Sequence, residues 1–229
     1  MLVLLFLLAC SSDPVAPVSL TVDQLVQVPS SRPHRTHLRL DGGAVVLRDT
    51  RWELRAAPHL ERPPDLPGEL AESVMVQHQD GVFQVETRKG LLIGPQGVFI
   101  IGTWSQGAWT DEEPVLDLPA TLTTGDTWTR EQRLAGRHGT RSCAVRHTPF
   151  CEVGVAVECL ARVEADAYWS TRHYCAGGGW VGHEMVVVRA GDPPLETWTS
   201  GIGADGLPGS SPPKRKRPTP RPDELRRGP

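Results

Sequence analysis

The sequence predicts an all-β fold, a curved antiparallel sheet rolled into a half-open barrel. Three observations carry that expectation: short apolar runs of period two, turn chemistry between them, and no long helical pattern. Thr36–Leu40 meets Ala44–Leu47 across Asp41-Gly42-Gly43. Val74–Gln79 meets Val82–Val85 across Asp80-Gly81, a pair that supplies the positive φ values of a two-residue type I′ turn. Leu91–Ile93 meets Val98–Ile101 across Gly94-Pro95-Gln96-Gly97, where Pro95 fixes φ at the first central turn position. Strands this close in sequence pair antiparallel. The segment 54–70, with Pro58, Pro63, Pro64 and Pro67, reads as a loop. Further on, Val153, Val155, Val157, Cys159, Ala161 and Val163 alternate with polar positions, so one face of that strand is wet. Tyr168–Tyr174 and Met185–Arg189 continue the pattern, giving roughly eight to ten strands. The one helical turn expected lies near Asp23–Val26. A sheet of this kind buries its apolar face by closing, fully or halfway, on itself.

The ends of the chain have a different character. Met1–Ala9 is an unbroken apolar run of about 14 Å as helix, roughly half a bilayer core, which is too short to span a membrane and fits a signal peptide. No Lys or Arg precedes it, a departure from the usual charged start. Leu7-Leu8-Ala9-Cys10 resembles a bacterial lipobox, which implies that Cys10 is acylated and becomes the mature N-terminus. More than one acyl chain gives stable anchoring. Ser11 is not the aspartate of inner-membrane retention, so the resemblance implies the outer membrane. At the other end, residues 212–229 carry seven Lys or Arg against two acids, a charge of +5 on a chain of −3, which leaves −8 for residues 1–211. With Leu225 as its one large apolar residue, that segment is expected to be disordered. The organisation expected is thus a signal peptide (1–9), a lipidated tether (10–18), one β-rich domain (19–204) and a basic, Pro-rich tail (205–229).

With Cys10 assigned to lipid, Cys143, Cys151, Cys159 and Cys175 remain, an even number that reads as two disulfides outside the cytoplasm. If 151–163 is one strand, Cys151 and Cys159 lie about 26 Å apart and cannot bond, which excludes the connectivity joining Cys143 to Cys175. Of the other two, Cys143–Cys151 with Cys159–Cys175 is preferred, each bridge stapling a local hairpin. The eight-residue spacing matches no zinc motif, so no metal is expected.

Two stretches carry a family resemblance. Thr124-Gly125-Asp126-Thr127-Trp128 leads into a strand, and Tyr174-Cys175-Ala176-Gly177-Gly178-Gly179-Trp180-Val181 forms a glycine-rich hairpin. Together they resemble a group of bacterial envelope lipoproteins, itself similar to the half-barrel carriers and receptors of outer-membrane lipoprotein transport. Here three glycines run together where the family pattern separates them. The resemblance covers about residues 70–200 and implies a half-barrel fold, with no catalytic residues to carry over. Gly177–Gly179 lets the chain turn through positive φ and lets a neighbouring backbone approach.

No nucleophile elbow, phosphate loop, dinucleotide fingerprint or His-Glu-x-x-His is present. His34 and His37 read as solvated loop residues, and Asp111-Glu112-Glu113 as a solvated turn. A hydrolase built on His173, His183 and Glu184 is the weakest reading. Trp104, Trp109 and Trp180 are candidates for an aromatic ligand groove. The expectation is a non-catalytic envelope lipoprotein with no cofactor and no nucleic-acid partner. It is held to the membrane through Cys10, and its sheet binds a lipid-like apolar ligand or an envelope protein. The alternative is an assembly partner recruited by sheet-edge pairing.

Overall fold

Asp80 and Gly81 take φ values of 53° and 78° and reverse the chain between two long strands, as the Asp-Gly pair dictates. Short reversals of this kind build nearly the whole molecule. The computed structural model describes residues 16–39, 44–105, 107–134, 137–189 and 195–201. The lipidation candidate Cys10, the expected turn Asp41-Gly42-Gly43 and the basic tail lie outside the described residues.

The chain begins with β1 (Ser19–Thr21) and a single helical turn, α1 (Val22–Leu25). A first meander follows: β2 (Ser30–Arg39), β3 (Val45–Ala56), β4 (Glu69–Gln79), β5 (Val82–Gly94), β6 (Gly97–Ser105) and β7 (Ala108–Pro119). After β8 (Thr121–Thr123) comes a second: β9 (Thr127–Leu134), β10 (Arg137–His147), β11 (Gly154–Val163), β12 (Asp166–Cys175), β13 (Gly179–Val188) and β14 (Leu195–Gly201). The two meanders join where β14 pairs with β2, so the sheet order is β7-β6-β5-β4-β3-β2-β14-β13-β12-β11-β10-β9. Every pairing is antiparallel. The edges, β7 and β9, fall in the middle of the chain and are not hydrogen-bonded to each other. The sheet is therefore an unclosed barrel with a seam.

One end of the barrel is plugged. β1 pairs with β8 in the register Leu20↔Leu122, and both leucines are fully buried. Val22 and Leu25 of α1 are buried in the same cluster with Leu54, Leu91, Val145 and Val155. Each such aliphatic side chain contributes about 1.5–3 kcal/mol on burial. α1 is too short to stand alone; it is held by its capping box, in which Gln24 Oε1 accepts from the Thr21 amide at 2.9 Å, and by this burial. The Gly-Asp-Thr-Trp lead-in is the clasp of the plug. Val18 N donates to Thr124 Oγ1 at 3.1 Å, Thr124 N to Val18 O at 2.9 Å, and Gly125 N to Val145 O at 3.0 Å. Gly179 meets the plug from the other side, with φ 65° and space for a Cβ only 3.0 Å from Leu25 O. The approach of a neighbouring backbone expected at this glycine run is thus supplied by α1.

Several expectations are corrected. Among the described residues fourteen strands form where about eight to ten were expected, because strands as short as β1 and β8 or as polar as β9 show no apolar run. The loop after β3 is confined to residues 57–68. His34 and His37 are buried within β2, because strand alternation and flanking strands cover both faces there. Asp111-Glu112-Glu113 lies inside β7 and is not a turn.

The cysteine pairing also differs. Cys143 and Cys159 sit opposite each other on β10 and β11, their Cα atoms 4.1 Å apart, and are disulfide-bonded. Cys151 is bonded to Cys175, Cα to Cα 6.1 Å. The preferred pairing of Cys143 with Cys151 and Cys159 with Cys175 is overturned. The reason is that β11 starts at Gly154, so Cys151 lies in the connection before it. Gly154 is opposite Cys175 in the ladder, and that connection folds back over the end of β12.

Candidate functional site

Alternation sorts every strand residue to one face or the other, and the inner face changes character along the barrel axis. At the plugged end it is aliphatic. Next comes an aromatic belt, in which the Trp180 ring is tilted against those of His34 and Trp52, at 4.4 and 5.4 Å centroid to centroid. Trp52 Nε1 donates to Ser73 Oγ at 2.9 Å, which satisfies the indole in its half-buried place. Nearer the open end the lining is polar. The Thr36 and Thr50 hydroxyls lie 2.6 Å apart, Gln77 Nε2 donates to Thr36 Oγ1 at 3.4 Å, and Arg48 Nη1 donates to Gln77 Oε1 at 3.2 Å.

A charged layer adjoins the belt. Asp117, on edge strand β7, receives Arg141 Nη1 of β10 at 2.7 Å, and Arg172 Nη1 and Nη2 of β12 at 2.5 and 3.1 Å. Arg141 also donates to Cys159 Sγ at 3.4 Å. The three side chains keep 14–17% of their exposure, so water reaches the layer. Arg172 faces His183 across the β12–β13 ladder, and Tyr174 lies two residues along on the same face. Lys89, exposed on β5, shares the inner face with Leu91 and adds its charge to this field.

The electrostatics follow from that geometry. Burial would raise the Asp117 carboxyl, but the charges of Arg172 and Arg141, a hydrogen bond from Arg172 and the charge of Lys89 outweigh it. The group is held well below the usual carboxylate range. Burial lowers Arg172, and Asp117 more than restores it. Burial pushes the Tyr174 phenol up, with Arg172 partly opposing. Burial, then Arg172, Lys89, His173 and Arg141, lower His183 to about 3, so its imidazole is neutral at physiological pH. The neighbouring cations Arg172, Lys89 and Arg141 oppose its protonation. The layer can hold an anion, and Asp117 is the anion that occupies it.

The sequence candidates distribute differently. Trp180 is in the belt, on the inner face. Trp104 and Trp109 are cross-strand neighbours of Arg88 and of each other, on the outer face, where the Arg88 guanidinium lies 5.0 Å above the Trp104 ring. The three tryptophans therefore do not line one groove: Trp104 is in register with Arg88, whereas the inner face of β5 carries Lys89 and Leu91. Arg88 is ion-paired to Glu86 and to Glu72, and the buried Glu72 carboxylate also takes Arg55 at 2.6 Å. The hydrolase trio is divided as well. His173 Nε2 is 3.9 Å from Glu184 Oε1, and His173 Nδ1 is 3.1 Å from Thr148 Oγ1, on the face opposite His183. Cys143, Cys151, Cys159 and Cys175 are structural bridges.

Asp117, Arg141, Arg172 and Lys89 were not singled out from sequence. Their signal was parity: Arg141 is in phase with Cys143 and Val145, and Arg172 with Tyr174, positions that alternation sends inward.

Among the described residues no group of three or more His, Cys, Asp or Glu side chains could hold a metal, and no helix is long and apolar enough to cross a membrane. Fold and site together define an unclosed antiparallel β half-barrel, plugged at one end, with a charged inner layer. Comparison with protein families, curated proteins and solved structures gives no match.

Proposed function

We propose that this chain is a lipid-anchored protein of the bacterial envelope, acylated at Cys10 and tethered to the outer membrane, whose half-barrel binds or carries an apolar ligand without catalysing a reaction. The observation that carries the reading is the polarity of the barrel. The plugged end begins at Val18, where the N-terminal segment docks. The opposite end carries Val45, Leu47, Val82 and Phe83, exposed by 47%, 51%, 62% and 56%. All four lie beside the β2–β3 and β4–β5 reversals, because Asp49 pairs with His78 and the ends of β3 and of the β4–β5 hairpin run past that point together. Large apolar side chains gathered at one end mark a surface that meets another apolar body. A barrel tethered at its plugged end presents its open, apolar-rimmed end away from the anchor, an arrangement suited to receiving a ligand or partner. Inside, the graded lining offers such a ligand an aromatic belt and a polar mouth.

Titration with lipid and lipoprotein fractions of the envelope tests this. A saturable change in tryptophan fluorescence supports the reading, and an unaltered spectrum across all fractions refutes the ligand version. Intact mass of the protein from membranes tests the anchor, since an unmodified N-terminus overturns it. A second reading, a structural assembly partner, has one specific observation in its favour: among the described residues β7 and β9 have one ladder neighbour each. A stoichiometric envelope protein recovered by cross-linking through either edge would favour it.

A further inference from the structure

Both disulfides hold the fold together, and one of them is also placed to react. We infer that the Cys151–Cys175 bridge is a thiol-exchange site: a small external thiol, entering the cavity beside it, bonds to Cys151 Sγ and releases Cys175, while Cys143–Cys159 stays closed. The inference stands apart from what the barrel binds.

The two bridges differ in their surroundings. Cys143 and Cys159 are 4% and 2% exposed, lie opposite each other on paired strands and belong to the main core cluster. Cys151 is half-buried in the connection between β10 and β11, and Cys175 is 9% exposed at the end of β12. A cavity of about 190 Å³ lies beside this second bridge, walled by Phe150, Val153, Ala176 and Val181 together with the two cysteines. At about 30 Å³ per water molecule that is room for about six waters, enough for the body of a small thiol. Val153 is 51% exposed, so the wall reaches solvent. The bridge rests against the sheet at Gly154, which faces Cys175 in the ladder. A Cβ at Gly154 lies 2.4 Å from Cys151 Sγ and 2.5 Å from Tyr174 O, so the ladder closes that approach.

Exchange depends on which sulfur an attacking thiolate can reach, and Cys151 is the more exposed of the pair. The thiolate sulfur bonds to Cys151 Sγ as the Sγ–Sγ bond breaks. The electron pair leaves on Cys175 Sγ, which takes a proton from water. A second external thiolate then attacks the external sulfur of the mixed disulfide and frees Cys151, so two thiols become one disulfide and the bridge becomes two thiols. The connection keeps other holds throughout. Ala176 N donates to Val153 O at 3.0 Å, Thr148 Oγ1 lies 3.1 Å from His173 Nδ1, and the Phe150 ring meets His173 edge-on at 4.6 Å. Cys151–Cys175 can therefore open in a folded domain, whereas access to Cys143–Cys159 requires the core to part.

The experiment mixes the full-length folded chain with β-mercaptoethanol, stops the reaction early with iodoacetamide and reads each cysteine from its peptide, Cys10 separately. The expected product carries β-mercaptoethanol on Cys151 and the alkyl group on Cys175. Cys143–Cys159 should open about tenfold or more slower. Charge beside the sulfur should tune the attack of an anionic thiolate. Val153→Asp is expected to slow it about threefold and Val153→Lys to speed it by a like factor, with the melting temperature and the Cys143–Cys159 rate unchanged. Equal rates at the two bridges, or opening of Cys151–Cys175 only in denaturing urea, overturns the inference. A first adduct on Cys175 overturns the assignment of the attacked sulfur, and a rate indifferent to both Val153 variants overturns the cavity as the route. None of these failures touches the ligand reading.

Discussion

Asp117 and Arg172 are 55 residues apart in sequence and meet inside the barrel, with both guanidinium nitrogens within 3.1 Å of the carboxylate. Asp117 belongs to edge strand β7, whose ladder neighbour among the described residues is β6 alone. Side-chain charge thus does at the seam what backbone hydrogen bonds do between the other strands. The link is long-range, so it fixes how far the two meanders wrap toward each other.

Removing the acid should therefore loosen the seam. Asp117→Asn leaves Arg141 and Arg172 facing each other without a counter-charge. Breaking a buried pair in this way costs about 3–5 kcal/mol, and the residual exposure of the cluster places the expectation near the lower figure. Arg141→Met should cost less, about 1 kcal/mol, because Arg172 still holds the carboxylate through two contacts. Urea denaturation measures both. Equal losses for the two variants would show that the cluster is not organised around Asp117.

Acid should destabilise the fold in two stages. His183 has a folded pKa of about 3 against an ordinary 6.5. As the pH falls through 6.5 the unfolded chain takes up a proton that the folded chain refuses, so stability declines down to about pH 3. One such proton gives a slope of about 1.4 kcal/mol per pH unit. His37, lowered by burial and by Arg35, acts in the same direction. Asp117 acts later. Its depressed folded pKa contributes stability that is complete above the ordinary carboxylate value of 3.8 and lost as the pH falls below it. Stability curves at pH 6.5, 5.5 and 4.5 should show His183→Gln with a shallower slope than the parent. An unchanged slope would mean that His183 takes up its proton in the folded state.

The architecture was readable where turn chemistry and alternation spoke together. Asp80-Gly81, Gly94–Gly97 and the glycine run Gly177–Gly179 each stand at a reversal, and α1 lies at the expected Asp23–Val26 turn. What could not be read was the long-range pairing. The pairing of β14 with β2, and the contact of Asp117 with Arg141 and Arg172, depend on how far a sheet curls, which no local pattern records. Charged residues at inward parity look like wet-face residues when a strand is read alone. The tryptophans misled for a related reason: a tryptophan near a glycine-rich turn suits either face, and the bulges in β6 and β7 decide it.

The disulfide connectivity makes a sharp chemical prediction. Trypsin alone leaves Cys151 and Cys159 on one peptide, residues 147–162, and cannot separate the alternatives. Further cleavage after Glu152 or Glu158 places them on different fragments. Under non-reducing conditions the Cys159 fragment should then carry Cys143, and the Cys151 fragment Cys175. Replacing either pair with alanine should cost about 3 kcal/mol by loop entropy, for separations of 16 and 24 residues. A Cys143–Cys151 fragment would require β11 to begin earlier than Gly154.

The plug makes the last prediction, and two neighbouring glycines allow a controlled comparison. Gly177 and Gly179 have nearly the same φ, 66° and 65°, so alanine at either position bears a similar backbone cost of about 1 kcal/mol. Their surroundings differ. A Cβ at Gly177 meets nothing within 4 Å, whereas one at Gly179 lies 3.0 Å from Leu25 O. To relieve that contact α1 must shift, and Leu25 is 2% exposed in the core, so the shift disturbs packing as well. Gly179→Ala should therefore exceed Gly177→Ala by about 1 kcal/mol or more in urea denaturation. Hydrogen exchange locates the effect. The Val26 amide, which donates to Val22 O at 2.7 Å, should exchange faster in Gly179→Ala and keep its parent rate in Gly177→Ala. Equal destabilisation of the two variants, with Val26 protected in both, would mean that the β12–β13 turn does not hold α1 in place.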